Sequence, residues 1–169
     1  SPTGPAFEGA EISSGQRAAP GAIERVRIDP ITLEPKFRVI GVDKWSDEEG
    51  FAEAASTVGV TGICGSAIIE VIAEMYLSGI ISEDGVVDGS LAERSTRIIP
   101  NGRTFSYLLH DGEPRITVTQ NDVRAIQLAK AALYAGIKLL MEKQGVTHVD
   151  IIRFAGAFGS FIDPKYAMV

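Results

Sequence analysis

Apolar and polar residues follow the two-residue period of a β-strand in several short segments of the chain. Residues 22–28 alternate in this way, and residues 37–42 form a second apolar run after the turn at Asp29 and Pro30. Two such runs separated by a turn predict an antiparallel pair of strands. Three further strands are predicted between turns rich in Pro, Asn, Asp and Gly, at residues 96–99, 103–109 and 115–119.

Residues 66–78 predict a helix that is apolar on most of its circumference. Its polar residues Glu70, Glu74 and Ser78 fall four apart on one narrow stripe, so we expect the helix to be largely buried. Ser66 is the predicted N-cap, and Gly79 is expected to end the helix.

A longer helix is predicted over Gln120–Lys143, where Thr119 and Asp122 have the spacing of a capping box. Residues 149–154 are rich in β-branched side chains and predict a buried strand. The order of elements indicates an α/β fold, a mixed sheet flanked by helices. The predicted apolar face of the long helix comprises Val123, Ile126, Ala129, Leu133, Ile137, Leu140 and Met141.

The first 21 residues are rich in Gly, Pro, Ala and Ser, a composition that also suits a flexible terminus. Phe7, Ile12 and Arg17 are nevertheless spaced like residues of a structured loop. We therefore expect this segment to be ordered.

Length and composition suit a single domain over residues 1–169, because 45% of the residues are hydrophobic. Sixteen basic residues against 22 acidic ones give a net charge of −6, which disfavours nucleic-acid partners. No apolar run approaches the ~18 residues of a membrane span. Residues 1–15 lack the basic start and apolar run of a signal peptide, and Cys64 is the single cysteine, so we expect a cytoplasmic protein.

Two glycine turns next to predicted helices or strands are the main candidates for ligand binding. Residues 61–66 (TGICGS) open the first helix, and Gly62, Gly65 and Ser66 there would let a ligand approach backbone amides. No Lys-Ser or Lys-Thr follows, so this is not a P-loop. Residues 154–159 (FAGAFG) follow the predicted strand, and Gly156 and Gly159 flank a position where α/β folds place ligands. Each turn has the simpler explanation of tight packing.

Three other features have both a functional and a structural explanation. Residues 3–9 (TGPAFEG) either line a cleft or form an ordinary terminal loop. Gln127 and Lys130 on the long helix either reach a nucleotide or lie on a solvated face. Cys64 either serves as a small packing residue, which we favour, or acts as a nucleophile. No metal-ligand pattern is present in the sequence.

Several ordered motifs resemble the carboxyl-terminal domain of reductive activators of corrinoid proteins. The resemblance spans nearly the whole chain, with Gln16 where the family has Met and Ala67 where it has Gly. The motifs are TGPAFEGA at 3–10, SGQRAAPGAIE at 14–24, TGICGS at 61–66, TQNDVR at 119–124, QLAK at 127–130, AGAFG at 155–159 and IDP at 162–164.

The resemblance implies a ribonuclease-H-like subdomain of the acetate and sugar kinase, chaperone and actin superfamily, whose two halves enclose an ATP cleft. Such activators couple ATP hydrolysis, with magnesium, to electron transfer from an iron–sulfur cluster onto an inactive cobalt(II) corrinoid protein of a methyltransferase system. By this resemblance Gly156 and Gly159 lie at the adenosine turn. Gln127 and Lys130 resemble, more loosely, a helix that contacts adenosine in the chaperones.

The family's phosphate loop, Asp-Ile-Gly-Thr-Asn-Gly, is expected just upstream of Ser1, and its cluster domain is also absent from this sequence. We therefore expect a fragment of a larger multidomain protein, which alone neither hydrolyses ATP efficiently nor moves electrons. Two alternatives stay open: a small-molecule kinase of the same superfamily, and a non-catalytic partner-binding module. A homodimer is compatible with the sequence as well.

Overall fold

A computed structural model describes residues 4–169, so Thr3 of the predicted 3–9 turn lies outside the described residues. The helices and strands largely follow the predicted order. The strands are β1 (Ala22–Ile28), β2 (Pro35–Val39), β3 (Gly62–Ile63), β4 (Ile98–Asn101), β5 (Thr104–His110) and β6 (Ile116–Val118). The helices are α1 (Phe51–Ala55), α2 (Gly65–Leu77), α3 (Gln120–Lys143), α4 (Gly156–Gly159) and α5 (Pro164–Ala167), with short 3-10 helices at Ala6–Glu8 and Gly89–Glu93.

The first sheet has the strand order β2-β1-β3 and is mixed. β1 pairs with β2 in antiparallel register, from Ile23 opposite Val39 to Ile28 opposite Pro35, as predicted. β3 pairs with the start of β1 in parallel, which places the turn before α2 at the edge of this sheet. The predicted α/β class, with a mixed sheet next to helices, is confirmed.

The second sheet is antiparallel, with the order β4-β5-β6, and its central strand carries much of the core. The fully buried Tyr107 on β5 donates a hydrogen bond to the carbonyl of Leu33 at 2.9 Å, which joins the two sheets. α1 begins inside the segment 43–53, which has a loop-like sequence; Phe51 and Ala55 are buried at its ends.

α2 packs on β1, and its polar stripe faces the sheet. Glu70 and Glu74 are both buried, and Glu70 forms ion pairs of 2.6 Å with Arg25 and Arg27. Arg27 in turn lies over the ring of Tyr166 at 4.5 Å, which attaches the C-terminal segment to the same surface. The predicted burial of this helix is confirmed.

α3 has the predicted bounds and capping box, but only its first half is packed. Val123, Ile126 and Ala129 are buried, whereas Leu133, Ile137 and Leu140 are exposed. The prediction of a buried strand at residues 149–154 is wrong, because these residues are irregular and exposed. No described strand pairs with them, and a strand needs a neighbour to satisfy its backbone.

Candidate functional site

A cavity of about 400 Å³ lies at the N-terminal end of α2, at the edge of the first sheet. This volume falls in the ~300–1,000 Å³ range of small-molecule sites. The two predicted glycine turns and the 3–9 turn meet here, because Gly65, Phe158 and three residues of the 3–9 turn (Gly4, Phe7 and Glu8) all line the cavity. The lining residues are Gly4, Phe7, Glu8, Gln16, Arg17, Ala18, Gly65 and Phe158.

Gly65 brings the three segments together. A Cβ atom at this position would collide with the carbonyl oxygen of Phe7 and would lie 2.7 Å from the ring of Phe158. Since only glycine leaves this space open, the first turn of α2, the N-terminal loop and α4 can all approach the cavity.

Gly62 has a similar role on β3. Its missing Cβ would lie 2.5 Å from the side-chain oxygen of Gln16 and 2.9 Å from the carbonyl of Ser14. The loop therefore runs alongside β3, where the backbone N–H of Gln16 donates to Ile63 at 2.9 Å and that of Ile63 donates to Ser14 at 2.8 Å. The prediction of an ordered N-terminal segment is confirmed for residues 4–21.

Ser66 is not the N-cap of α2, so this prediction is wrong. The N-cap residue is Cys64, whose side chain makes no capping hydrogen bond. Ser66 lies two residues after the N-cap, and its buried hydroxyl donates to the carbonyl of Glu24 on β1 at 3.1 Å. It also lies 3.3 Å from the sulfur of Cys64, which is buried as a small packing residue.

Gly156 and Gly159 are the first and last residues of α4, a single helical turn that presents Phe158 to the cavity. Gly156 has a φ of +87°, a conformation that favours glycine at this entry to the turn. Neither glycine lines the cavity. Their contact with a nucleotide stays a prediction.

Gln127 and Lys130 do not line the cavity either. Gln127 donates to the carbonyl of Asp84 at 3.2 Å and accepts from Arg124 at 2.9 Å, so its polar atoms bind the turn next to Gly85. Lys130 is exposed on α3. Their role in nucleotide binding likewise stays a prediction.

Glu8 and Phe158 line the cavity and belong to the 3–9 and 154–159 turns, which the sequence offered as candidates, whereas Gln16 and Arg17 also line it but lie in neither turn. One signal was present: Arg17 is the single basic residue among the first 21. Glu8 contributes an acidic side chain to the cavity wall, and Arg17 contributes a basic one. Phe7 and Phe158 supply aromatic surface that suits a planar ring.

A second cavity of about 530 Å³ lies between α1, β2 and the end of β5, with His110 and Arg97 at its rim. None of the predicted site residues lines it. Within residues 4–169 no helix combines the length and the apolar character that a membrane crossing requires.

Comparison with known proteins agrees with the motif pattern. The model of a family described as the C-terminal domain of RACo, the ASKHA domain, matches residues 1–169. The chain is 34% identical to the corrinoid activation enzyme RamQ of Eubacterium limosum over 95% of this chain and 26% of RamQ. It is 27% identical to the [Co(II) methylated amine-specific corrinoid protein] reductase of Methanosarcina barkeri over 97% of this chain and 28% of that protein.

The fold is similar to a solved reductive activator for corrinoid, iron–sulfur protein, with a TM-score of 0.77 and 30% identity over 98% of this chain and 25% of that one. The chain thus spans about a quarter of the length of these relatives. Because the family model covers every residue, the chain belongs to the family of C-terminal ASKHA domains of RACo.

Proposed function

We propose that this chain is the ATP-binding part of a longer protein that uses ATP to reduce inactive cobalt(II) corrinoid proteins to cobalt(I). The match of all 169 residues to the ASKHA domain family carries this proposal. The names of the relatives, a corrinoid activation enzyme and a Co(II) corrinoid protein reductase, support the substrate class.

The cavity fits a magnesium nucleotide in its donor set. Phe7 and Phe158 supply aromatic surface for a purine, and Arg17 supplies a cation for phosphate oxygens. Magnesium is commonly held by substrate phosphates and one or two carboxylates, and Glu8 is the carboxylate on this wall. Backbone amides at the start of α2, where Gly65 lines the cavity, would add neutral donors.

The rest of the reaction is assigned to other parts of the longer protein. One cysteine is too few for a thiolate-bound iron–sulfur cluster, so the electron donor lies outside this chain. We propose that the parent is a cytoplasmic protein, that its partner is the corrinoid protein of a methyltransferase system, and that residues 1–169 form one subdomain of it.

Reactivation of a cobalt(II) corrinoid protein by the full-length protein tests the proposal. Cobalt(I) is expected to form, by its visible spectrum, only when ATP, magnesium and a low-potential reductant such as titanium(III) are all present. Arg17→Ala is expected to lower the rate of cobalt(I) formation and to raise the ATP concentration needed for half of the maximal rate. Arg103→Ala, in the exposed β4–β5 turn, is the matched control and should leave both unchanged.

Two outcomes contradict the proposal. Cobalt(I) formation that is independent of ATP removes the coupling to nucleotide. Transfer of the γ-phosphate of ATP to a small acid or sugar, without corrinoid reduction, supports a kinase instead.

A further inference from the structure

The N-terminal loop forms most of the cavity wall, since Gly4, Phe7, Glu8, Gln16, Arg17 and Ala18 all belong to residues 4–18. These residues include 3-10 turns and irregular backbone, with no strand or long helix of their own. Their position therefore depends on the groups to which the loop is attached.

Asp122 on α3 is one such group. Its Oδ1 atom accepts two hydrogen bonds from Ser13, one from the backbone N–H at 2.8 Å and one from the hydroxyl at 2.9 Å. The side chain is almost completely buried, with 2% exposure, although it is a carboxylate on an otherwise apolar helix face. Hydrogen bonds to a carboxylate are stronger than those between neutral groups, so this attachment is firm.

The second oxygen of the same carboxylate binds the helix. Oδ2 accepts from the backbone N–H of Thr119 at 2.7 Å, while the hydroxyl of Thr119 accepts from the N–H of Asp122 at 3.1 Å. This reciprocal pair is the capping box of α3. In an ordinary capping box the hydrogen bonds stay within the start of the helix. Here the carboxylate of Asp122 also binds Ser13, which is 109 residues away in sequence.

The loop beyond Ser13 transmits this attachment to the cavity. The hydroxyl of Ser14 donates to the carbonyl of Thr117 at 3.2 Å and accepts from the N–H of the same residue at 3.3 Å. Gly15 and Gly9 lie next to each other where the loop folds back on itself. A Cβ on Gly9 would collide with the backbone of Gly15 and Gln16, and a Cβ on Gly15 would collide with the backbone of Gly9. A shift at Ser13 would therefore move Gln16 and Arg17 on one side and Phe7 and Glu8 on the other.

We propose that Asp122 is a positioning residue for the nucleotide, which holds the 4–18 loop against α3 so that Phe7, Glu8, Gln16 and Arg17 face the ligand. This inference rests on the proposed function, because it takes a magnesium nucleotide as the occupant of the cavity. It assigns to the capping box of α3 a second role that helix stability alone does not require.

Asp122→Ala tests the proposal in the full-length protein. It removes both carboxylate oxygens, and with them the two hydrogen bonds from Ser13 and the one from Thr119. Loss of charge-assisted hydrogen bonds is expected to weaken Mg-ATP binding roughly tenfold by calorimetry. Ser13→Ala removes the hydroxyl that contacts Asp122 at 2.9 Å and Thr119 at 3.5 Å but keeps the backbone hydrogen bond, so it should weaken binding less, and it should add nothing in the Asp122→Ala background.

Thr119→Ala is the matched control. It removes the hydrogen bond that the N–H of Asp122 donates in the capping box and the 3.5 Å contact with the hydroxyl of Ser13, and it leaves both bonds between Ser13 and Asp122 intact. It should lower the melting temperature without changing the affinity for Mg-ATP. Equal loss of affinity in Thr119→Ala and Asp122→Ala, or wild-type affinity in folded Asp122→Ala, overturns the proposal. Should Asp122→Ala fail to fold, additive effects of Ser13→Ala and Arg17→Ala on affinity would overturn it instead.

Amide hydrogen exchange of the ligand-free protein separates this inference from the proposed function. Asp122→Ala is expected to speed exchange of Gln16 and its neighbours at least tenfold, while Thr119→Ala speeds only the first turn of α3. Wild-type protein that binds no Mg-ATP contradicts the proposed function, and the exchange data then decide alone whether Asp122 holds the loop. Unchanged exchange in the loop of Asp122→Ala refutes the attachment whatever the cavity binds.

Discussion

At Gly65 one missing side chain allows three segments to meet. A methyl group there would collide with the carbonyl of Phe7 and press on the ring of Phe158. Gly65→Ala is therefore expected to lower the free energy of unfolding by about 1–3 kcal/mol, the usual cost of overpacking. Urea denaturation measures this loss, and fluorescence titration with a nucleotide analogue should show weaker binding.

Gly102→Ala separates crowding from backbone strain. Gly102 has a φ of +61°, but a Cβ there would meet nothing within 4 Å. Only the conformational penalty remains, which is about 1 kcal/mol, and binding should not change. A smaller loss for Gly65→Ala than for Gly102→Ala would contradict the packing argument.

His110 gives the fold a pH dependence. Burial against Phe37, assisted by the nearby cation of Arg97 and opposed by Asp111, lowers the pKa of His110 below its ordinary value of 6.5. Between these two pKa values the unfolded chain binds a proton that the folded chain does not. The free energy of unfolding therefore falls as the pH drops below about 6.5, and above that pH His110 has no effect.

His110→Gln should flatten the stability profile between pH 6.5 and 5, as followed by urea denaturation. His148→Gln removes the other of the two histidines, which is exposed, and should retain the His110 step. A profile that keeps its slope in His110→Gln would place the titrating group elsewhere.

The pairing of α2 with β1 depends on a buried ionic contact rather than on apolar packing alone. Glu70 accepts from the backbone N–H of Val26 at 2.9 Å and pairs with Arg25 and Arg27. Glu70→Gln is expected to lower the free energy of unfolding by about 2–3 kcal/mol. This is below the ~3–5 kcal/mol of fully buried pairs because the arginine side chains are 30% and 31% exposed.

Asp111→Asn is the comparison for an exposed pair. Its carboxylate lies 3.0 Å from Arg115, but both side chains are largely solvated. The free energy of unfolding should fall by at most about 0.5 kcal/mol, measured by thermal or urea unfolding, since water screens such pairs. Similar decreases in the free energy of unfolding for Glu70→Gln and Asp111→Asn would mean that burial of Glu70 has little energetic effect.

Elements with a local signal could be predicted from the sequence. The capping box at Thr119 and Asp122 set the start of α3, and Gly145 follows its C-cap. The role of Ser66 could not be predicted in this way, because its hydroxyl binds a carbonyl of β1 that is distant in sequence. Membership of the cavity wall depends on the same long-range contacts, which is why Gln16 and Arg17 were not recognised as lining residues.

The unpaired apolar surface concerns the molecule as a whole. The second half of α3 and residues 149–154 have the sequence pattern of buried elements, yet Leu140, Ile151 and Ile152 are 63%, 69% and 65% exposed. Monomeric proteins rarely expose apolar patches of this kind without a partner. Since the relatives are about four times as long, we expect this surface to be covered in the longer protein that we propose.

Amide hydrogen exchange of the 169-residue chain and of the longer protein tests this expectation. In the short chain no described backbone hydrogen bond involves residues 149–154, so their amides should exchange at nearly the intrinsic rate. Amides of β1 and of the first half of α3 should be protected in both proteins, and residues 149–154 should become protected only in the longer one.

Protection of residues 149–154 in the short chain would mean that a strand forms without the rest of the protein. Dependence of that protection on protein concentration would identify a second copy as the covering partner. Rapid exchange in both proteins would show that apolar sequence alone does not make this segment a strand. In each case the result decides which neighbour the β-branched pattern requires, because a strand is stable only when its backbone donors and acceptors are paired.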